Sequence, residues 1–331
     1  MSLQMAIGQD ATNLKTETKT NISSSLSFHI TSAKDIFAQG DDIDLRFMFR
    51  NDGNIEKRIC TTCKKIDLFI FFFGMYGQVN DSIFWYTSGG KISLSEENYS
   101  YLSLRPREFF SFTHTVNEIM KEGNDDIVVK KDNGTMKKGD IITGKHVITV
   151  NHYNQHGENC FRGVLKAAGP IVFEIKERGK VKAGSAVTKT GGLEFSAVLA
   201  KKTFVPKEDI LVDFTFTNTS KENVAILAEF EPFDAFFSVN GQNEKGEQWG
   251  NTAAHTKTTN VKRPDSPRYI TLEPRESFGF RKKLNDLMSG QDTQEGKQQV
   301  NIKYVNQFGE EGFKGELSSP KIEFDIIKTK K

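Results

Sequence analysis

Soft metal ligands gather in the first half of this 331-residue chain. Cys60 and Cys63 are spaced Cys-x2-Cys, and His152, His156 and Cys160 follow as His-x3-His-x3-Cys, with His146 upstream. A Cys-x2-Cys pair joined by one more His and Cys can hold Zn²⁺ tetrahedrally, and thiolate and imidazole are donors that ion favours. The set would be Cys60, Cys63, His156 and Cys160, provided the two segments meet at one end of a folded unit. The competing reading makes the cysteines small buried hydrophobes and puts the histidines on a hairpin surface. Other patterns carry less. Gly139-x4-Gly144-Lys145 imitates a phosphate loop, but His146 stands where Ser or Thr is needed and residues 147–150 read as strand, not helix. The acidic pairs Asp41/Asp42, Asp125/Asp126 and Glu310/Glu311 fall in polar turns, whereas general acid–base work needs a concave, partly desolvated setting. Neither Gly-x-Ser-x-Gly nor His-Glu-x-x-His occurs. No catalytic residue is assigned, and a non-enzymatic chain is expected.

The elements that must position these residues come in two copies. Leu26-Ser-Phe28 answers Leu193-Glu-Phe195, and Phe49-Arg-Asn51 answers Phe216-Thr-Asn218, at an offset of 167. The same offset matches Asp67…Gly74 with Asp234…Gly241. Tyr101-Leu-Ser-Leu-Arg-Pro-Arg-Glu108 answers Tyr269-Ile-Thr-Leu-Glu-Pro-Arg-Glu276, and Asn154-Gln-His-Gly-Glu answers Asn306-Gln-Phe-Gly-Glu. What both copies keep points to scaffold; what one copy alone has points to function. The soft ligands belong to the first copy alone: the second has Leu227, Phe230, Tyr304, Phe308 and Gly312 at the matching places. The expected organisation is a disordered leader over residues 1–25, a repeat over 26–176, a linker over 177–192 and a repeat over 193–328.

Within each copy the hydrophobic period is two. Ile43, Leu45, Phe47 and Phe49 alternate in one, Ile210, Val212, Phe214 and Phe216 in the other. Asn51-Asp-Gly-Asn54 and Asn218-Thr-Ser220 close these strands with turn chemistry. Residues 66–76 and the alternation Phe233, Ala235, Phe237, Val239 read as further strands. Helical signal is confined to residues 116–121 and 284–289. Seven or eight short strands per copy, rich in the chain's 27 phenylalanines, predict an all-β fold of two tandem immunoglobulin-like β-sandwiches, with a closed barrel as the alternative architecture. The run from Ile210 to Ser220, then Phe233-Asp-Ala-Phe-Phe-Ser-Val239, Glu244-Lys-Gly-Glu-Gln-Trp249 and Leu272-Glu-Pro-Arg-Glu-Ser277 resembles the intracellular proteinase inhibitor domain of bacteria. It is more loosely similar to the β-sandwich pro-segment of deuterolysin-type metalloproteases. The resemblance implies a sandwich and an inhibitory role. The chain departs from it at Arg107 and Arg275, where those families carry Gly after the Pro.

Charge and length narrow the classes further. With 45 basic and 43 acidic residues the net charge is +2, which gives no field for nucleic acid or anionic membrane. Three cysteines are too few for a disulfide framework, and the first 25 residues lack a basic region followed by an apolar run, so a cytoplasmic chain is expected. The copies differ most in loops. The first inserts residues 121–140, with Lys130 and Lys131, and the second has a long loop over 250–268 with Lys257, Lys262 and Arg263. Variable loops on a rigid scaffold commonly present contacts. The expected function is protein binding through these loops, inhibitor-like in one version. The alternatives are an assembly component that adds strands at its edges, and a zinc protein centred on the Cys/His set.

Overall fold

The computed structural model describes residues 25–80, 83–87, 95–122, 130–131, 134–135, 143–155, 157, 160–178, 192–250, 267–287, 295–308 and 311–327. In the first repeat the strands are β1 (Leu26–Ser32), β2 (Ile36–Ala38), β3 (Asp44–Asn51), β4 (Lys57–Cys60), β5 (Phe73–Val79), β6 (Ile83–Thr87), β7 (Tyr101–Leu104), β8 (Glu108–Thr115), β9 (Lys130–Lys131), β10 (Gly134–Thr135), β11 (Gly144–Asn154), β12 (Gly163–Lys166) and β13 (Ile171–Lys176). Two short helices interrupt them, α1 (Ile66–Phe72) and α2 (Val116–Glu122). The second repeat contributes β14 (Leu193–Leu199), β15 (Thr203–Phe204), β16 (Leu211–Asn218), β17 (Val224–Leu227), β18 (Phe237–Asn243), β19 (Gln248–Gly250), β20 (Tyr269–Leu272), β21 (Ser277–Lys283), β22 (Gly296–Asn306), β23 (Gly315–Ser318) and β24 (Ile322–Ile326). The fold is an all-β sandwich. Strands such as β3, β11 and β22 bury alternate residues, as β3 does with Leu45, Phe47 and Phe49, whose rings line the space between sheets, whereas the central β8 and β21 are buried at consecutive positions.

The two repeats share a sheet. Its order is β1-β3-β8-β21-β16-β14, three strands from each copy. At the centre β8 and β21 run antiparallel with Phe110 opposite Phe278, Phe109 opposite Gly279 and Ser111 opposite Ser277. Phe110 and Phe278 are equivalent residues of the two copies, so the joint has the register of a two-fold symmetric contact. Side-chain size breaks the symmetry: a Cβ on Gly279 would lie 2.3 Å from the Phe109 ring and 2.2 Å from the Phe214 carbonyl oxygen. The sequence gives no sign that a strand of one copy will pair with its counterpart.

Ion pairs close the joint. Glu108 and Glu276 are also equivalents, and each accepts a backbone N–H three residues upstream, from Arg105 and Glu273, at 2.8 Å. Each then meets a cation from the other copy: Arg268 Nη1 donates to both oxygens of Glu108 at 2.8 and 2.9 Å, and Lys64 Nζ lies 2.7 Å from Glu276. Burial pushes both carboxyls above the ordinary glutamate range, and the cations oppose that shift.

The remaining strands form the facing layers. In the first repeat the order is β10-β9-β6-β5-β11-β13-β2, and in the second β15-β24-β22-β18-β19. Residues shared by the copies prove to be clamps. Asn51 Nδ2 donates to the carbonyls of Ile55 and Leu104, and Asn218 Nδ2 to those of Glu222 and Leu272. Asn154 and Asn306 tie their hairpins by donating to the carbonyls of Phe161 and Phe313. Buried amides held by two carbonyls fix a turn that apolar packing alone leaves free.

Two sequence readings are corrected. Residues 66–76 are not one strand: they form α1 followed by the start of β5. Residues 233–235 are likewise a 3-10 turn ahead of β18. A short run that is apolar at nearly every position, as Ile66–Phe72 is but for Asp67, is too brief for its period to separate strand from helix. The stacking of Phe69 on Phe73 (4.4 Å) and Phe233 on Phe237 (4.4 Å) fits a spacing of one helical turn. These pairs also correct the repeat register. Phe73 lies opposite His152 and Phe237 opposite Tyr304, so the offset here is 164 rather than 167, and Gly241 is the counterpart of Gly77, not Gly74.

Candidate functional site

The two cysteine segments do approach. Cys60 ends β4, opposite Tyr101 of β7, and the Phe161 N–H donates to the Arg58 carbonyl at 2.9 Å, which lays residue 160 beside β4. Cys63 is buried and its thiol donates to the Cys60 carbonyl at 3.2 Å; burial pushes it well above the ordinary thiol range. Cys160 is half-buried and also raised by burial. None of the three cysteines forms a disulfide. His156 lies outside the described residues. Among the described residues no group of three or more His, Cys, Asp or Glu side chains is placed to hold a metal.

The other two histidines of the motif point into the core. His146 stacks on Phe173 at 5.1 Å. His152 lies among Phe28, Phe49 and Phe73 at 6.0, 4.8 and 5.0 Å. Neither ring nitrogen of His152 has a hydrogen-bond partner, and burial alone lowers its pKa to about 3. Tyr304 fills the same place in the second repeat. This imidazole therefore serves as an aromatic packing element, neutral at physiological pH. The expectation of a hairpin surface fails for it.

The loop lysines are reached only in part. Lys130 and Lys131 form β9, which pairs with β10 and, through Lys130, with Phe84 of β6. The insertion expected as a loop thus adds a two-stranded ribbon to the first repeat's outer sheet. Lys257, Lys262 and Arg263 lie outside the described residues.

The clearest difference between the copies lies where the sequence reading did not look, on the outward faces of the β5–β11–β13 and β18–β22–β24 layers. Eight large apolar side chains are prominently exposed among the described residues, and four share the first repeat's face: Ile36 (43%), Tyr76 (49%), Val164 (49%) and Val172 (45%). Ladder register places them together. Tyr76 is opposite Thr149, Val172 opposite Val147, Val164 opposite Tyr153, and Ile36 beside Glu174. Tyr153 lies across Gly74, where a Cβ would come within 2.9 Å of its ring. In the second repeat the register puts Asn240 at the place of Tyr76, Gln299 at that of Val147, Asn301 at that of Thr149 and Glu323 at that of Val172. Of the eight exposed apolar side chains, Val205 (38%) and Ile327 (51%) reach that layer, at its β15–β24 edge and away from Asn240 and Asn301. The equivalences rest on ladder pairing, so a linear reading at the wrong offset hides them; alternation within β5 and β11 was the signal available.

A cleft of about 240 Å³ also opens at the joint between the repeats, walled by Tyr101, Tyr269, Phe110, Lys64 and Glu276. The Lys64–Glu276 pair that lines it is the same pair that closes the joint.

Among the described residues no helix is long and apolar enough to cross a membrane. No protein-family model and no curated protein matches the chain. Two solved structures show likeness. Red sea bream transglutaminase has 10% identity over 92% of this chain and 32% of that one, with a TM-score of 0.20. The Yersinia pseudotuberculosis adhesin InvE has 10% identity over 93% and 62%, with a TM-score of 0.20. The chain spans less than two thirds of either protein, and at these scores the likeness bears on neither activity nor partner.

Proposed function

We propose that this chain is a non-enzymatic protein-binding module whose main contact surface is the outward face of the first repeat's β5–β11–β13 layer. The observation that carries this is the contrast at ladder-equivalent positions: the first copy has Ile36, Tyr76, Val164 and Val172 where the second has Thr203, Asn240, Glu316 and Glu323. Scaffold demands act alike on both faces, so they do not account for the difference; grouped exposed apolar side chains commonly mark contact surfaces. Lys130 and Lys131 belong to the ribbon that extends the same sheet. An inhibitor is the version the resemblance favours, and it makes the partner a protease. The three cysteines form no disulfide, which suits a reducing compartment and supports the cytoplasm.

The test is affinity capture from the source cell with chemical crosslinking. It compares the full chain, a Tyr76→Lys/Val172→Lys variant, and an Asn240→Lys/Asn301→Lys variant at the equivalent places. The first variant loses the crosslinked partner and the second keeps it. Equal recovery by both, with circular dichroism unchanged, overturns the assignment.

A further inference from the structure

We propose that the outward face of β18, β19 and β22 in the second repeat is a separate site for a neutral carbohydrate. Five carboxamides point outward there from three adjacent strands: Asn240, Gln242, Gln248, Gln299 and Asn301. The ladder sets Asn240 opposite Asn301, and Gln242 opposite both Gln299 and Gln248. They surround a depression of about 330 Å³. Its floor is low because Gly250 stands opposite Asn240, where the first repeat has Tyr86. Gly250 is held at φ +121°, and a Cβ there would strike the Val239 carbonyl oxygen, so the opening is fixed by the backbone.

None of the five amides hydrogen-bonds another described residue, although each carries two donors and an acceptor oxygen. The buried amides of Asn51 and Asn218, by contrast, are engaged by two carbonyls each. In a chain that is 27% charged, the described lining of this patch has one charged residue, Lys321, and its ammonium pairs with Glu323 at 3.3 Å. A surface of fixed, uncharged groups that both donate and accept is matched by vicinal hydroxyls, which also both donate and accept. A phosphate or carboxylate ligand would call for an unengaged cation, and the one cation among the described lining residues, Lys321, is paired with Glu323. The copies again supply the contrast, since the first repeat has Tyr76, Val147 and Thr149 at the places of Asn240, Gln299 and Asn301. This site is distinct from the protein-binding face, and either can stand without the other.

The experiment follows the side-chain NH₂ resonances of the ¹⁵N-labelled full chain by NMR. The probes are maltotriose, cellotriose, mannotriose and N,N′,N″-triacetylchitotriose, each to about 10 mM, with tripolyphosphate as the anionic comparison. Gln299→Val/Asn301→Thr carries the first repeat's residues, which its own sheet accommodates at the same places. At least one neutral probe is expected to shift these resonances saturably, and the double variant to weaken it about tenfold or more, two hydrogen bonds' worth. Silence from all four sugars overturns the proposal. So does a stronger response to tripolyphosphate, or undiminished sugar binding by the double variant.

Discussion

Acid should unfold this protein through His152. The ring is buried among three phenylalanines with no partner on either nitrogen, and its pKa falls to about 3 from 6.5. The unfolded chain takes up the proton at pH 6.5, whereas the folded chain refuses it until about pH 3. Stability is therefore full above pH 6.5 and declines as pH falls toward 3. The slope is roughly 1.4 kcal/mol per pH unit, so moving from pH 7.5 to 5.0 removes roughly 2 kcal/mol through this residue alone. His29 and His114 are also lowered by burial and add in the same direction. A His152→Phe variant isolates the term, since it keeps an aromatic ring and removes the titration. Urea unfolding at pH 7.5, 6.0 and 5.0 should show the wild type losing roughly 2 kcal/mol more than the variant across that range. Equal losses for the two proteins would refute the reasoning, as would a His152 ring signal that titrates near pH 6 in NMR.

Further outcomes follow from other parts of the fold. Arg107 and Arg275 hold φ of 68° and 69°, a left-handed backbone, and Arg107 is exposed; Arg107→Gly is expected to raise stability by about 0.5–1 kcal/mol in chemical denaturation, the relief of strain exceeding glycine's added entropy. Arg275→Gly should gain less, because it gives up the contact with Asp44. Arg268→Ala strands the buried Glu108 carboxylate and should cost about 3 kcal/mol, with Glu108→Gln in the same chain recovering most of it in a double-mutant cycle. Gly279→Ala drives a methyl into the Phe214 carbonyl and the Phe109 ring and should cost more than about 2 kcal/mol, which denaturant unfolding will read. In the folded chain a thiol reagent should modify Cys160 first and leave Cys63 untouched, because Cys63 is sealed as a neutral thiol; simultaneous reaction of all three would contradict its placement.

How much of this was legible beforehand differs by element. The strands around Phe47 and Phe214 announce themselves, because a strand with one buried face writes that face into alternate residues. The turn at Pro274-Arg275 was visible as turn chemistry, though its left-handed arginine is a backbone fact. Residues 66–72 went astray because a seven-residue run, apolar but for the exposed Asp67, is too short for a strand period and a helix period to be told apart. The Cys/His spacing looked like a ligand set, yet His152 serves the core as Tyr304 does, since spacing along a strand does not tell which face the cavity takes.

The sequence by itself determined the duplication, the all-β class and the positions that must be apolar, because those follow from local periodicity and turn preference within each copy. Only the tertiary structure decided that β8 pairs with β21, that Glu108 and Glu276 exchange cations across the joint, and which residues of the two copies are equivalent on the outward faces. Those outcomes depend on ladder register and on groups more than 100 residues apart meeting in space, as Arg268 meets Glu108, and no local pattern along a chain encodes which partner a strand edge or a buried charge will find.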